Sequence, residues 1–164
     1  MKKLIAFLFL SILMSCSKDK SCTAGFTGDD CETQITPTYI KIKEVKLTKF
    51  PPTDNGAGWD LLDGPDMYFE ILYNGSPFVS TKNKPFDNIN GTVVKWILIG
   101  NYSIDKPFDQ YAIAAFDHDD TSADDYIGGI TFTPYSNSNK FPKTIVLNCP
   151  GCGTEWEIVV EYVF

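Results

Sequence analysis

The chain has 164 residues, 43% of them hydrophobic and 14% aromatic, which suffices for one domain with a sizeable core. Its formal net charge is −7, and all 14 of its Lys and Arg residues are lysines. An acidic surface without arginine does not suit nucleic acid, because phosphate backbones attract basic patches and arginine side chains.

The first sixteen residues have the pattern of a secretory signal. Two lysines precede an apolar run from Leu4 to Met14, and small residues and Cys16 follow it. The run is too short to span a bilayer comfortably, since about 20 residues are needed. The segment is therefore predicted to direct secretion.

The end of this segment, LMSC at residues 13–16, resembles the lipobox of bacterial lipoproteins. The resemblance implies removal of residues 1–15 as a signal peptide and attachment of lipid, palmitate included, to Cys16. Several acyl chains on one residue anchor a protein stably, whereas one chain holds it only marginally. Ser17 follows the cysteine, which by the enterobacterial sorting rule favours the outer membrane of the cell envelope. The alternative is an ordinary signal peptide with an unmodified cysteine.

The next segment, CTAGFTGDDCE from Cys22 to Glu32, resembles the last loop of an EGF-like module. The resemblance rests on the two cysteines, Gly25, Phe26 and Gly28, and it covers only part of such a module. It implies a disulfide between Cys22 and Cys31 and carries no binding activity with it. Residues 16–37 are therefore predicted to form a lipidated stalk in front of a domain at 38–164.

From Thr38 onward the periodicity is that of β-strands, with apolar and polar residues alternating and Gly, Pro, Asn and Asp clusters between the runs. Eight segments fit this pattern: YIKIKEVKL, MYFEILY, PFVST, TVVKWILI, QYAIAAF, YIGGITFT, KTIVLN and EWEIVVEYVF. No segment has a helical period. The prediction is an all-β fold, an eight-stranded antiparallel β-sandwich.

Cys149 and Cys152 form a C-x-x-C pair at a Pro-Gly turn between the last two predicted strands. This spacing indicates redox or metal chemistry in cytosolic proteins. Here no helix follows that would lower a thiol pKa, and no second ligand pair is available for zinc. A structural disulfide that pins the hairpin is favoured.

Two acidic stretches flank strands far apart in the chain. In FDHDDTSADDYIGG, residues 116–129, Asp117 and Asp119 follow one predicted strand, and Asp125 precedes the next. In FPPTDNGAGWDLLDGPDMYFEI, residues 50–71, Asp60 and Asp66 stand six apart, and Asp66 precedes a strand.

This combination resembles the C2 domain, a calcium-dependent lipid-binding β-sandwich. In that family one loop supplies aspartates six apart before a strand that contains tyrosine, as in PDMYFEI. The other loop reads Asp-x-Asp, a third Asp six later, then a hydrophobic residue and glycine. The positions that match this second pattern are Asp117, Asp119, Asp125, Ile127 and Gly128. The first predicted strand leads into the first acidic loop. The order of strands along the chain therefore resembles that of the circularly permuted, phospholipase-type C2 domain.

The chain departs from the family in two respects. The Asn-Pro-x-Trp turn is not evident, and Trp96 lies within a strand-like run instead. The basic groove is reduced to Lys82, Lys84 and Lys95. Recognition of phosphoinositides is therefore not predicted.

The residues themselves also point to a calcium site. Calcium takes six to eight oxygen ligands, mostly carboxylates and carbonyls, and carboxylates that converge without a cation repel one another. The predicted ligands are Asp60, Asp66, Asp117, Asp119 and Asp125, and the possible additional ligands are Asp63, Asp120 and Asp124. Magnesium suits such loops less well, because it demands octahedral geometry and keeps its waters. The alternatives are a solvated acidic turn and a purely structural calcium ion.

Catalysis is not expected. The one histidine, His118, lies inside an acidic stretch, and the chain has no Gly-x-Ser-x-Gly elbow. The function predicted is binding of an anionic partner, phospholipid or other, with Leu61, Leu62 and Tyr126 inserting into a membrane.

Two other functions stay open. The first is a surface adhesin or glycan-binding module in which calcium rigidifies the loops and Trp59, Tyr102 or Tyr111 stacks on sugars. The second is a structural envelope lipoprotein that binds another protein through a sheet face.

Overall fold

The computed structural model describes residues 21–54, 56–59, 64–87, 89 and 93–164. The strands in these ranges are β1 (Phe26–Thr27), β2 (Thr33–Gln34), β3 (Tyr39–Lys49), β4 (Met67–Tyr73), β5 (Ser76–Ser80), β6 (Val94–Ile97), β7 (Ser103–Ile104), β8 (Tyr111–Asp117), β9 (Asp125–Phe132), β10 (Thr144–Cys149) and β11 (Thr154–Val163). The same ranges contain no helix long and apolar enough to cross a membrane.

The long strands form two antiparallel sheets packed as a sandwich. One sheet has the order β10-β11-β3-β6, with β7 also paired to β3, and the other has the order β5-β4-β8-β9. The predicted all-β sandwich is confirmed, and each of the eight predicted segments overlaps one of these strands. β6 and β7 share one edge position, because β6 pairs with residues 44–47 of β3 and β7 pairs with residues 40–41. Two residues cannot display an alternation, so the sequence did not reveal β7.

The core is built by the inward faces of the two sheets. Along β3 the buried residues are Ile40, Ile42, Val45 and Leu47, so the inward face shifts by one residue midway. The shift coincides with a register change against β11, where Glu44 pairs with Val159 but Ile42 pairs with Val160. The extra residue of such a β-bulge lets one strand keep apolar side chains on the core face on both sides of the irregularity.

A second irregularity shapes the start of β9. Phe116 pairs with Tyr126 and Ala115 with Gly128, which leaves Ile127 as the extra residue, buried in the core. The two glycines that follow sit against other chain segments. A Cβ on Gly128 would lie 2.6 Å from Cγ2 of Thr154, and a Cβ on Gly129 would lie 2.5 Å from the carbonyl oxygen of Ile113.

Because a backbone atom occupies the space beside Gly129, we expect Gly129→Ala to lower the free energy of unfolding by about 2 kcal/mol, as overpacked substitutions do. The melting temperature would fall by about 5–10 °C for a domain of this size. Thermal unfolding followed by circular dichroism measures the change. The matched control is Gly151→Ala, where the added methyl group meets nothing within 4 Å. Equal losses in the two variants would contradict the close approach at Gly129.

Residues 21–37, here called the N-terminal knob, pack onto the sandwich. The knob contains the β1–β2 hairpin and a disulfide between Cys22 and Cys31. The ring of Phe26 lies edge-on against Phe141 at 5.3 Å, and the backbone N–H of Lys140 donates to Oε1 of Gln34 at 2.7 Å. The part of the predicted stalk that the structure describes is therefore held against the domain.

The second disulfide joins Cys149 and Cys152 across the turn between β10 and β11. Both predicted cysteine pairs are thus present. Cys16 and the rest of residues 1–20 lie outside the described residues, as do Asp60, Leu61, Leu62 and Asp63.

Candidate functional site

Three of the predicted ligands, Asp66, Asp117 and Asp125, lie at one end of the four-stranded sheet, here called the acidic edge. β4, β8 and β9 are neighbours, and their register aligns Met67, Asp117 and Asp125. Asp66 stands one residue before Met67. Two residue groups separated by some fifty positions in the sequence therefore lie side by side, because strand pairing carries them to the same edge.

Asp66 and Asp117 are joined directly. Asp117 is 1% exposed, and its Oδ1 accepts a hydrogen bond of 2.7 Å from the backbone N–H of Asp66. The backbone N–H of His118 in turn donates to the carbonyl oxygen of Asp66 at 2.8 Å. These bonds fix the position of the Asp117 carboxylate relative to the loop that precedes β4.

The remaining aspartates of the second stretch differ in their surroundings. Asp119 is half-buried, whereas Asp120 and Asp125 are exposed. Asp124, a possible additional ligand, has a side chain only 10% exposed. Asp60 and Asp63 lie outside the described residues, so their part in the predicted site stays a prediction.

Asp124 holds the loop together by accepting several hydrogen bonds. Its Oδ2 accepts from Nζ of Lys82 and from the hydroxyl of Tyr68, each at 2.5 Å. Its Oδ1 lies 3.1 Å from Nδ1 of His118 and accepts from the backbone N–H of Asp119 at 3.4 Å. Both oxygens are thus engaged, and a role for Asp124 as a metal ligand would require these bonds to be replaced.

This network changes the acidity of two groups. Burial alone would raise the pKa of Asp124, but the hydrogen bonds from Lys82, Tyr68 and His118 outweigh it and hold the pKa well below its ordinary value of 3.8. Burial, and then the bond to Asp124, raises the pKa of Tyr68. The carboxylate is therefore ionised and the phenol is a protonated donor at neutral pH.

The lowered pKa of Asp124 predicts a pH-dependent contribution to stability. Since the folded-state pKa lies below the unfolded one, the contribution is present above about pH 5 and is lost as the pH falls through 4 and below. We expect Asp124→Asn to cost about 1–2 kcal/mol at pH 7 in the presence of chelator, because bonds to a charged acceptor are weakened. The difference from the native chain should shrink between pH 6 and pH 3 in urea titrations. Asp120→Asn, an exposed neighbour, is the control. A cost for Asp124→Asn that stayed constant with pH would contradict the network.

A cleft of about 610 Å³ opens beside the acidic edge. Three carboxylates, one amide, one lysine, one proline and one histidine line this cleft: Asp66, Asp87, Asp120, Asn83, Lys82, Pro85 and His118. Sequence reasoning missed Asp87 and Asn83. Asp87 reaches the edge because Phe86 and Met67 exchange two backbone hydrogen bonds of 2.8 Å, which places the chain after β5 alongside the start of β4. Asp87 is isolated among non-acidic neighbours in the sequence, so no spacing marked it.

The donor atoms around this cleft are the oxygen ligands that calcium prefers. Within the described ranges, however, no group of three or more His, Cys, Asp or Glu side chains is close enough together to hold a metal ion. The described residues thus supply individual carboxylates that suit calcium, and hydrogen bonds hold the Asp117 carboxylate and the Asp66 backbone in place.

The lysines of the reduced basic groove are largely neutralised. Nζ of Lys82 pairs with Asp124, and Nζ of Lys95 lies 2.6 Å from Oε2 of Glu44. Lys84 is exposed and lines a second cleft of about 590 Å³, next to Phe86 and Ile99. A groove with two of its three cations paired is a weak site for phosphate.

Of the three aromatic residues considered for sugar stacking, one is buried and two are half-buried. Tyr111 is only 5% exposed and belongs to the core. Trp59 is half-buried against the core, and its Nε1–H donates to the carbonyl oxygen of Pro51 at 3.0 Å. Tyr102 lines the second cleft. Tyr126, predicted to insert into a membrane, is 58% exposed beside Phe116.

The sequence matches no protein-family model and no curated protein. Solved structures match the fold. One is a C2 domain, 16% identical, with a TM-score of 0.53 over 77% of this chain and 98% of that one. The fold is that of the C2 domain.

Two further matches come from human GIVD cytosolic phospholipase A2. One structure, in complex with methyl γ-linolenyl fluorophosphonate inhibitor and terbium chloride, is 16% identical with a TM-score of 0.51 over 78% of this chain and 18% of that chain. The other is 14% identical with a TM-score of 0.51 over 79% of this chain and 17% of that one. This chain therefore spans less than a fifth of the phospholipase, and the similarity concerns the C2 fold alone.

Proposed function

We propose that this protein is a lipid-anchored lipoprotein of the bacterial envelope whose C2 fold binds calcium at the acidic edge and, through calcium, an anionic partner such as a phospholipid headgroup. One observation carries the proposal. The backbone N–H of Asp66, just before β4, donates to the carboxylate of Asp117 at the end of β8, and Asp125 is in register with Asp117 on β9.

The residues that would hold calcium come from three segments. Asp66, Asp117 and Asp125 belong to the acidic edge, and Asp87 lines the same cleft as Asp66. Asp60 would add a ligand from the loop before β4, and Asp119 one from the loop after β8. When bound, calcium would neutralise these carboxylates and offer its remaining coordination positions to anionic oxygens. The protein's own contribution is to fix the carboxylates through strand register and backbone hydrogen bonds.

We propose no catalytic activity. The imidazole of His118 is held by Asp124 rather than by a nucleophile, and the cleft beside it is lined mainly by carboxylates. The envelope location and the acyl anchor at Cys16 are part of the proposal and rest on the sequence of residues 1–17.

Calorimetric titration of the chain without its first 16 residues tests calcium binding directly. We expect a dissociation constant of about 0.1–1 mM, which is usual for extracellular modules. At 10 mM calcium and a dissociation constant of about 0.3 mM, linkage adds about 2 kcal/mol to the free energy of unfolding. The melting temperature would then rise by about 5–10 °C, and chelator would reverse the rise. Terbium, with which one phospholipase structure was solved, is a second probe. No heat and no thermal shift with either cation would refute the cation site.

The partner is tested separately. Sedimentation of the same fragment with phosphatidylserine vesicles should be calcium-dependent and reversed by chelator. Calcium binding without such sedimentation would indicate a structural ion. In that case a glycan array, with Trp59→Ala as the comparison, tests the adhesin alternative.

A further inference from the structure

The end of the sandwich opposite the acidic edge carries a group of exposed apolar side chains. Ile35, Phe108 and Phe164 are 38%, 48% and 42% exposed. Phe108 packs edge-on against Tyr135 and Phe164 against Phe141, each pair with ring centroids 5.0 Å apart. Tyr135 stacks on Phe141 at 5.6 Å and donates from its hydroxyl to the carbonyl oxygen of Ile35 at 3.3 Å. We call these five residues the aromatic patch, in which Ile35, Phe108 and Phe164 are exposed, Phe141 is half-buried and Tyr135 is buried.

The aromatic patch and the acidic edge are separated by the length of the sandwich. The patch lies where β3 begins and β11 ends, and there the backbone N–H of Thr38 donates to the carbonyl oxygen of Val163 at 2.7 Å. The acidic edge lies where β3 ends, β8 ends and β9 begins. β3 has 11 residues. At about 3.3 Å per residue it is about 36 Å long.

The N-terminal knob places the start of the described chain at the aromatic patch. Gly25 of the knob is so close to Phe164 and Phe141 that a Cβ there would lie within 2.7 Å of both rings. The described chain begins at Ser21, five residues after Cys16. Five residues span at most about 18 Å. A lipid at Cys16 therefore keeps the knob within about half the length of β3 from the bilayer.

The composition of this end suits a membrane interface. Elements that lie on a membrane bury apolar side chains such as Phe, Trp and Leu at the boundary between acyl chains and headgroups, and lysines beside them extend toward headgroup phosphates. Lys106 and Lys140 are exposed near the patch. Asp29 and Asp30 of the knob, also exposed, offset part of this charge. The surface therefore suits a bilayer without a strong requirement for anionic lipid.

We propose that the aromatic patch rests on the bilayer that anchors the chain and that the acidic edge faces away from it. The inference rests on the lipid anchor of the proposed function. It adds an orientation to the proposed function, because the short segment between Cys16 and Ser21 prevents the acidic edge from contacting the bilayer that holds the lipid anchor. The anionic partner of the acidic edge then lies on a facing surface or in solution.

Quenching by brominated lipids tests this orientation. The acylated full chain is placed in phosphatidylcholine vesicles whose acyl chains carry bromine, with chelator present. Tryptophan emission is compared for Phe108→Trp at the patch, Tyr126→Trp at the acidic edge and Val146→Trp on the side of the sandwich, after subtraction of the native emission. Tyr126 and Val146 are 58% and 70% exposed, so all three positions accept an indole at the surface. We expect most of the added emission to be lost for Phe108→Trp and to persist for the other two.

Other outcomes would overturn the orientation. Quenching that is equal at the three positions, or strongest for Tyr126→Trp or Val146→Trp, excludes it. Phe164→Trp is the second probe of the patch if Phe108→Trp does not fold. Mass spectrometry establishes the acylation, and its absence overturns the anchor together with this inference. The calcium titration of the unacylated chain is independent of that result, so failure of the orientation and failure of the cation site are distinguishable.

Discussion

Replacement of Asp117 and Asp119 with asparagine is expected to remove most of the response to 1 mM calcium. Asparagine keeps the shape of the side chain and a carbonyl oxygen, so the hydrogen bond that Asp117 accepts from the backbone N–H of Asp66 can persist. The two negative charges are lost, and calcium affinity depends on the number of charged ligands. We expect affinity to fall by at least about tenfold, so that at 1 mM calcium the added free energy of unfolding falls from about 0.9 to about 0.2 kcal/mol and most of the rise in melting temperature is lost.

The control for this double variant changes the same number of charges elsewhere. Asp29 and Asp30 are exposed in the N-terminal knob, at the opposite end of the sandwich. The double replacement Asp29→Asn with Asp30→Asn should leave the calorimetric titration unchanged. A calcium response that survives in the Asp117 and Asp119 variant shows that the cation site is placed wrongly. Equal losses in both double variants would indicate a general effect of net charge.

Trp156→Ala is expected to cause the largest loss of stability. Trp156 lies on β11 in the middle of the five-stranded sheet and is fully buried. Truncation of a buried tryptophan removes its transfer free energy and leaves a cavity, at a cost of about 3–5 kcal/mol. The melting temperature should fall by more than about 10 °C. Urea unfolding at neutral pH measures the loss.

Trp156→Phe separates packing from hydrogen bonding at the same position. The indole Nε1 of Trp156 is buried and has no hydrogen-bond partner in the part of the chain that the structure describes. Phenylalanine removes this buried donor and keeps most of the apolar volume. We expect a loss of only about 1 kcal/mol, since the smaller cavity is offset by removal of an unsatisfied N–H group. A loss as large as that of Trp156→Ala would indicate that the indole nitrogen is satisfied.

At the acidic edge, the spacing of aspartates in the sequence predicted some features of the candidate site and not others. The intervals between aspartates predicted a shared site, and strand pairing places Asp66, Asp117 and Asp125 at the same end of the sheet because each lies at a strand end. Their joint binding of calcium stays a prediction. The same intervals ranked Asp125 above Asp124 as a ligand, but they did not reveal the different surroundings of the two carboxylates. The carboxylate of Asp124 is tied to Lys82 and Tyr68, whereas Asp125 is exposed. Adjacent residues of an extended chain point in opposite directions, so the surroundings of each depend on what packs there.

Asp87 could not be found from the sequence for a related reason. It has no acidic neighbour at an informative spacing, and it reaches the cleft through the backbone bridge between Phe86 and Met67. A single bridge between two separate segments of the chain produces no periodic pattern in the sequence. Asp87→Asn in the calcium titration would show whether this third segment contributes a ligand.

The sequence by itself predicted the strand-rich sandwich and the pairing of nearby cysteines, and both are present in the structure. The secretory character of residues 1–16 stays a prediction. Alternation of side chains is a local property, and cysteines three or nine residues apart can meet without distant contacts. Only the tertiary structure decided the register of β4, β8 and β9, the engagement of Asp124 and the packing of the N-terminal knob on Phe141. These features depend on contacts between residues some fifty to more than a hundred positions apart, where the free energy of the whole packed core selects one pairing among many. For the same reason, only the fold could place the start of the described chain and the acidic edge at opposite ends of the molecule.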